Sequence, residues 1–146
     1  MLFRSRTIYS ITSAGFRRSL LYKPIDEQSF VEDHRQLAER VNPAYVLIGE
    51  RAGVPVGYAL GIPDWLQAER GDPVDTLVLK TVAVVPGRSQ AGLGRLLAWR
   101  CEQRAAADGY RRSIHALMRD ASTSSNISRG YTETMRRYAL FGRLLQ

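Results

Sequence analysis

The chain switches between two apolar periods, and each switch marks an element. The densest apolar stretch is Thr76–Val85 (TLVLKTVAVV), almost entirely β-branched or leucine. A run with so little polar interruption predicts a strand covered on both faces, at the centre of a sheet. Leu93, Leu96, Leu97, Cys101 and Ala105 follow at helical spacing, with Asp108-Gly109 as the stop. Upstream, Ala44–Glu50 and Pro55–Ile62 are β-rich and flank Arg51-Ala52-Gly53-Val54, which predicts a hairpin. Asp26 stands at an N-cap position ahead of Phe30, Leu37 and Val41, so a helix is expected from there to Asn42-Pro43.

The remaining segments are less regular. Residues 7–22 carry Ile8, Ile11, Phe16, Leu20 and Leu21 without a clear period, and an extended or poorly defined opening segment is expected. Residues 63–75, with Pro63 and Pro73, predict an excursion between strands. Arg112–Met118 predicts a further strand, residues 119–125 a polar loop, and Ile127, Tyr131 and Met135 a short helix. Tyr138–Leu145 (YALFGRLL) is expected to close the chain as a strand. Strands alternating with helices indicate an α/β or α+β sheet with helices on its faces.

Composition and the N-terminal stretch change this picture in four ways. The 146 residues suit one domain with a sizeable core, and no apolar run approaches the length of a membrane span. MLFRSRTIYS lacks the apolar centre and small-residue cleavage site of a secretion signal. The single cysteine, Cys101, excludes an internal disulfide and fits a reducing, cytoplasmic setting. Finally, 21 basic against 14 acidic residues leave a net charge of +7, which favours an anionic partner.

A candidate for that anion's seat lies just after the central strand. Gln90-Ala91-Gly92-Leu93-Gly94 opens the apolar helical stripe, and a helix start carries unpartnered N–H groups and a dipole that favours negative charge. Arg88 and Arg95 flank it. No Gly-Lys-Ser/Thr follows, so this is not a P-loop, and Leu97 stands where a dinucleotide fingerprint needs its third glycine.

Thr81-Val82-Ala83-Val84-Val85-Pro86, then Gly87-Arg88-Ser89-Gln90-Ala91-Gly92-Leu93-Gly94, then Leu96-Leu97, resembles the acetyl-CoA-binding motif of the GNAT superfamily of N-acyltransferases. The resemblance runs from about Tyr45 to the C-terminus. It implies an α+β fold with α/β-type layers: a mixed, mostly antiparallel twisted sheet flanked by helices, in one domain over residues 1–146. It also implies acetyl-CoA as co-substrate and a primary amine, of unidentified nature, as acceptor. The pyrophosphate would sit on Arg88, Ser89, Gln90, Ala91, Gly92, Leu93, Gly94 and Arg95. The thioester and pantetheine would lie along the backbone of Val82, Ala83 and Val84.

The motif departs from the family pattern at Ser89, where arginine or glutamine is usual, and in Asn126 and Tyr131, whose spacing does not match. The family's opening strand and helix have no counterpart before residue 26, so a chain shortened at its N-terminus is expected. Residues 7–14 (TIYSITSA) would then fold back over the edge begun by Ala44–Ile48, or a homodimer would cover it.

Acetyl transfer needs a proton acceptor, an oxyanion site and a proton donor for the thiolate. The central strand offers Lys80 and Thr81 but no acid; His115 lies on the next strand, and water is the other acceptor. Tyr131, then Tyr138, are the candidate donors. Cys101 falls on the apolar stripe and reads as core. His34 and His115 have no metal-ligand spacing with it, so no metal is expected. Two other functions compete: a non-catalytic relative that binds CoA or a protein, and a nucleic-acid module. The second lacks interleaved aromatics and is disfavoured.

Overall fold

A computed structural model describes residues 2–19, 22–118 and 125–144. Two helices, α1 (Leu2–Phe16) and α2 (Glu27–Ala38), precede the hairpin of β1 (Val46–Arg51) and β2 (Val54–Pro63). Then come α3 (Trp65–Glu69), β3 (Thr76–Val84), α4 (Leu93–Ala107), β4 (Arg112–His115) and α5 (Ser125–Ser128). The sheet order is β1-β2-β3-β4, antiparallel for the first two pairs and parallel for β3 with β4. This is the mixed, mostly antiparallel α+β sheet expected from the sequence.

Local chemistry explains most of these elements. Asp26 Oδ1 accepts from the Ser29 N–H at 2.9 Å and caps α2. Ala52 and Gly53 both have positive φ, 48° and 76°, the two-residue turn whose twist suits a hairpin. Gln67 and Asp75 tie the 64–75 excursion to the sheet. Gln67 Nε2 donates to Asp75 Oδ1 at 2.9 Å, and Gln67 Oε1 accepts from the N–H groups of Asp75 and Thr76. Arg112 on β4 closes the knot with a 2.8 Å contact to Asp75 Oδ1.

Helix α4 lies on a groove of small residues along β2. A Cβ at Gly57 would stand 2.8 Å from Leu93 and 2.9 Å from Leu97, and one at Gly61 would stand 2.7 Å from Cys101 Sγ. With Ala59 between them, these positions let the helix sit close enough to bury Leu97, Ala98, Cys101 and Ala105 against Tyr45, Leu47, Leu77 and Leu79. Leu96, expected on this stripe, is 51% exposed; Ala98 takes its place, because the buried face is one position round from the one the leucines suggest.

The opposite face of the sheet is covered by α1, and here the sequence expectation fails. Residues 7–14 are neither extended nor paired with β1; they form the middle of a 15-residue helix. Ile8 and Ile11 are buried with Phe30, Tyr58, Leu60 and Ala83, and Gly15 brings the helix within 3.1 Å (from its would-be Cβ) of the Val84 carbonyl. Ile8, Ile11 and Gly15 recur at helical spacing, and burial of that stripe overrides the weak helix propensity of the Ile, Ser and Thr around it. β1 is the edge strand of the described sheet.

The C-terminal end is also shorter in structure than expected. β4 stops at His115 rather than Met118, and α5 stops at Ser128, ahead of Gly130 at φ 92°. Residues 138–144 form no strand: Leu140, Phe141 and Leu144 are 82%, 96% and 93% exposed, and no described strand pairs with them. β propensity without a ladder partner does not make a strand. The polar loop at 119–124 and the end of that expected strand, Leu145, lie outside the described residues.

Candidate functional site

The parallel pair β3–β4 opens partway along. Its register runs from Thr76↔Arg112 to Leu79↔His115 and then ends, while β3 continues to Val84 on β2 alone. At the same point β3 bulges: Leu60 pairs with Thr81 and Gly61 with Leu79, so Lys80 has no opposite number. The bulge shifts the side-chain phase. Leu77 and Leu79 face α4; beyond it Val82 faces α4 and Ala83 faces α1. The backbone of Val82–Val84 therefore borders an opening from which β4 is absent.

The start of α4 stands beside that opening. Gly92 is its N-cap in the left-handed region, φ 81° and ψ −12°, and its carbonyl accepts from Leu96 N–H at 3.0 Å. Helix geometry leaves the N–H groups of Gly92, Leu93, Gly94 and Arg95 without intrahelical acceptors. Of the donors expected from the sequence, those of Gln90 and Ala91 are engaged instead, to the carbonyls of Gly87 and Arg88 in a tight 3-10 turn. The Ser89 hydroxyl donates to Gln90 Oε1 at 2.7 Å, and Arg88 is exposed. A Cβ at Gly92 would meet nothing within 4 Å, whereas one at Gly94 would lie 3.3 Å from Ile127 Cδ1 and 3.6 Å from Val82 Cγ1. Gly94 thus packs α4 under α5 and against β3, and Gly92 leaves open space in front of the donors. The residues fit an anionic phosphate group approaching the backbone.

Around the same helix start stand the candidate proton carriers. The Tyr131 ring is edge-on to His115, with centroids 5.9 Å apart at 73°, and Arg95 lies over its face at 5.4 Å. Desolvation and the nearby Glu102 carboxylate raise the phenol's pKa, and Arg95 opposes them. His115 is held at both ring nitrogens, Nδ1 at 2.6 Å from Ser128 Oγ and Nε2 at 2.6 Å from Glu102 Oε1. Tyr138 is elsewhere, exposed and bonded to Arg136. Cys101 is fully buried, its thiol pushed up to about 11 by desolvation. His34 stacks on Phe30 at 3.8 Å on the α1 face of the sheet, far in sequence and fold from β4. Lys80 is exposed.

Comparison with known proteins decides what this geometry belongs to. The family model described as Acetyltransferase (GNAT) family matches residues 6–128. The chain belongs to the GNAT family. No curated protein sequence matches it. Among solved structures, this GNAT domain is similar in fold to aminoglycoside N-acetyltransferase AAC(6')-Iy in complex with CoA. That likeness has a TM-score of 0.65 and 16% identity, over 97% of this chain and 90% of that one. A GNAT family acetyltransferase from Brucella melitensis in complex with acetyl-CoA aligns with a TM-score of 0.55 and 20% identity, over 79% of this chain and 71% of that one. A ribosomal-protein-alanine N-acetyltransferase, also from Brucella melitensis, aligns with a TM-score of 0.57 and 23% identity. That alignment takes in 75% of this chain and only 66% of the other.

The two polar residues that hold His115 escaped the sequence reading. Glu102 sits next to buried Cys101 on α4, and helical periodicity alone does not say that it turns toward β4. Ser128 ends the run SSNIS, in which nothing distinguishes one hydroxyl from the next.

A void of about 210 Å³ lies on the other sheet face among Ile8, His34, Leu37, Val46 and Tyr58. None of its lining residues comes from β3, β4 or α4.

Proposed function

We propose that this domain transfers the acetyl group of acetyl-CoA to a primary amine by direct attack of the amine on the thioester. The observation that carries the reading is the juxtaposition of the β3–β4 opening with the left-handed cap of α4. The free N–H groups at 92–95 hold the pyrophosphate, with Arg88 adding charge from the loop. The Val82–Val84 backbone takes the pantetheine and the thioester carbonyl, and its fixed dipoles stabilise the oxyanion as it forms. Tyr131, whose phenol desolvation and the Glu102 carboxylate keep protonated, gives that proton to the departing thiolate. The amine's proton leaves through water, because β3 presents Lys80 and Thr81 and no carboxylate. Cys101, buried on α4, takes no part and is in keeping with a reducing, cytoplasmic setting.

The same lack of a carboxylate favours a second reading, a domain that binds CoA without catalysis. One pair of measurements decides. Calorimetry with acetyl-CoA should show binding that Arg88→Ala weakens, and that loss should shrink as salt rises. A screen for CoA release across polyamines, amino acids, aminoglycosides and N-terminal peptides should then find an acceptor. Binding without release favours the second reading, and no binding overturns both.

A further inference from the structure

Glu102 on α4, His115 on β4 and Ser128 on α5 come from three elements, yet they meet at two contacts of 2.6 Å on opposite nitrogens of one imidazole. Only 6% of that His115 side chain is exposed and only 18% of Glu102, and Ser128 is buried. A ring held at both nitrogens inside the fold cannot turn, whichever nitrogen carries the proton. Such a buried and fully partnered polar cluster specifies one arrangement of the elements that share it.

The cluster continues into the segment that bears Tyr131. The Ser128 carbonyl accepts from Tyr131 N–H at 3.4 Å and from Thr132 Oγ1 at 3.0 Å. The Tyr131 ring meets the edge of His115 on one side and the Arg95 guanidinium on the other. Tyr131 is 46% exposed, so these contacts rather than burial set where its phenol points. Glu102 and Arg95 both belong to α4, whose first turn carries the free N–H groups. One rigid helix therefore references both the anion seat and the phenol.

We propose that Glu102, His115 and Ser128 are positioning residues that hold the Tyr131 phenol at the mouth of the β3–β4 opening. The inference rests on the reading of Tyr131 as the group that protonates the thiolate. Arg95, Glu102 and His115 are charged and titratable groups that face Tyr131. Loss of the Glu102 carboxylate removes the charge that opposes phenolate, so the Tyr131 titration moves to lower pH in Glu102→Gln.

The test needs no acceptor. The full chain is labelled with 13C at the tyrosine ring, the Tyr131 signal is assigned by its loss in Tyr131→Phe, and its shift is followed against pH. Glu102→Gln should move the titration down. Ser128→Ala should move the Tyr131 signal toward that of a free tyrosine, and Ser128→Thr, which keeps the hydroxyl, should restore it. Thermal melts establish that each variant is folded. If the Tyr131 signal and its titration are the same in folded Glu102→Gln and Ser128→Ala as in the parent, the positioning role is overturned. The acid role fails separately, if Tyr131→Phe releases CoA at the parent's rate with an amine found in the screen.

Discussion

A side chain at Gly92 would project into open space, yet the backbone there is left-handed at φ 81°. Those two facts separate folding from binding at one residue. Gly92→Val bears a strain of about 1–2 kcal/mol from its φ, and it meets no neighbour in the free protein. It should fold, and it should lose at least about tenfold in acetyl-CoA affinity, about 1.4 kcal/mol, because the branched chain fills the phosphate's approach. Unchanged affinity by calorimetry in a folded variant would remove the pyrophosphate from this loop. Cys101 makes the opposite case, a residue with reactive chemistry that the fold withholds. It is fully buried, its Sγ lies 3.7 Å from the Tyr45 carbonyl, and its thiol is held at about 11. Reaction with a thiol reagent at neutral pH should be slow and should speed up only with unfolding; a rapid stoichiometric reaction in the folded protein would place the thiol elsewhere.

At the scale of elements, what the sequence made legible was whatever needed no partner to be recognised. The Asp26 cap, the Ala52-Gly53 turn, the unbroken β3 and the glycine-led start of α4 each carry their own signal, and each lies within a residue or two of its expected place. The β3 bulge at Lys80 was not legible, since one lysine within an apolar run does not say that the pairing skips it. Nor was α1, whose Ile and Thr residues prefer strands until Ile8 and Ile11 find the core. Two substitutions one residue apart test that helix with opposite signs. Ile11 is 2% exposed, so Ile11→Ala should destabilise by about 2–5 kcal/mol. Thr12 Oγ1 is buried without a hydrogen-bond partner, so Thr12→Val, which replaces the hydroxyl by a methyl, should stabilise by about 1 kcal/mol. Denaturant melts that move in the same direction for both, or not at all, would show that α1 is not packed in this register.

At the scale of the whole molecule, the basic surplus is not a single patch reaching for one partner. Arg104 holds the Ala44 carbonyl, Arg95 lies on Tyr131, Arg100 on Trp99, and Arg112 on Asp75. The last of these joins the 64–75 excursion, the first residue of β3 and the start of β4, so one carboxylate ties together three parts of the chain. The hydrogen bond from Gln67, and then the one from Arg112, hold the Asp75 carboxyl at about 2, below its ordinary 3.8. A carboxyl depressed by folding contributes stability that is fully present above about 3.8 and is lost as pH falls through about 2. The melting temperature should therefore drop through that window in the parent protein. In Asp75→Asn, which keeps a bond acceptor but cannot titrate, the melting temperature should start lower at neutral pH and fall less steeply between those limits. Equal slopes in the two proteins would mean that the excursion is fastened to the sheet by Gln67 and the backbone alone, with the Asp75 charge contributing nothing to the joint.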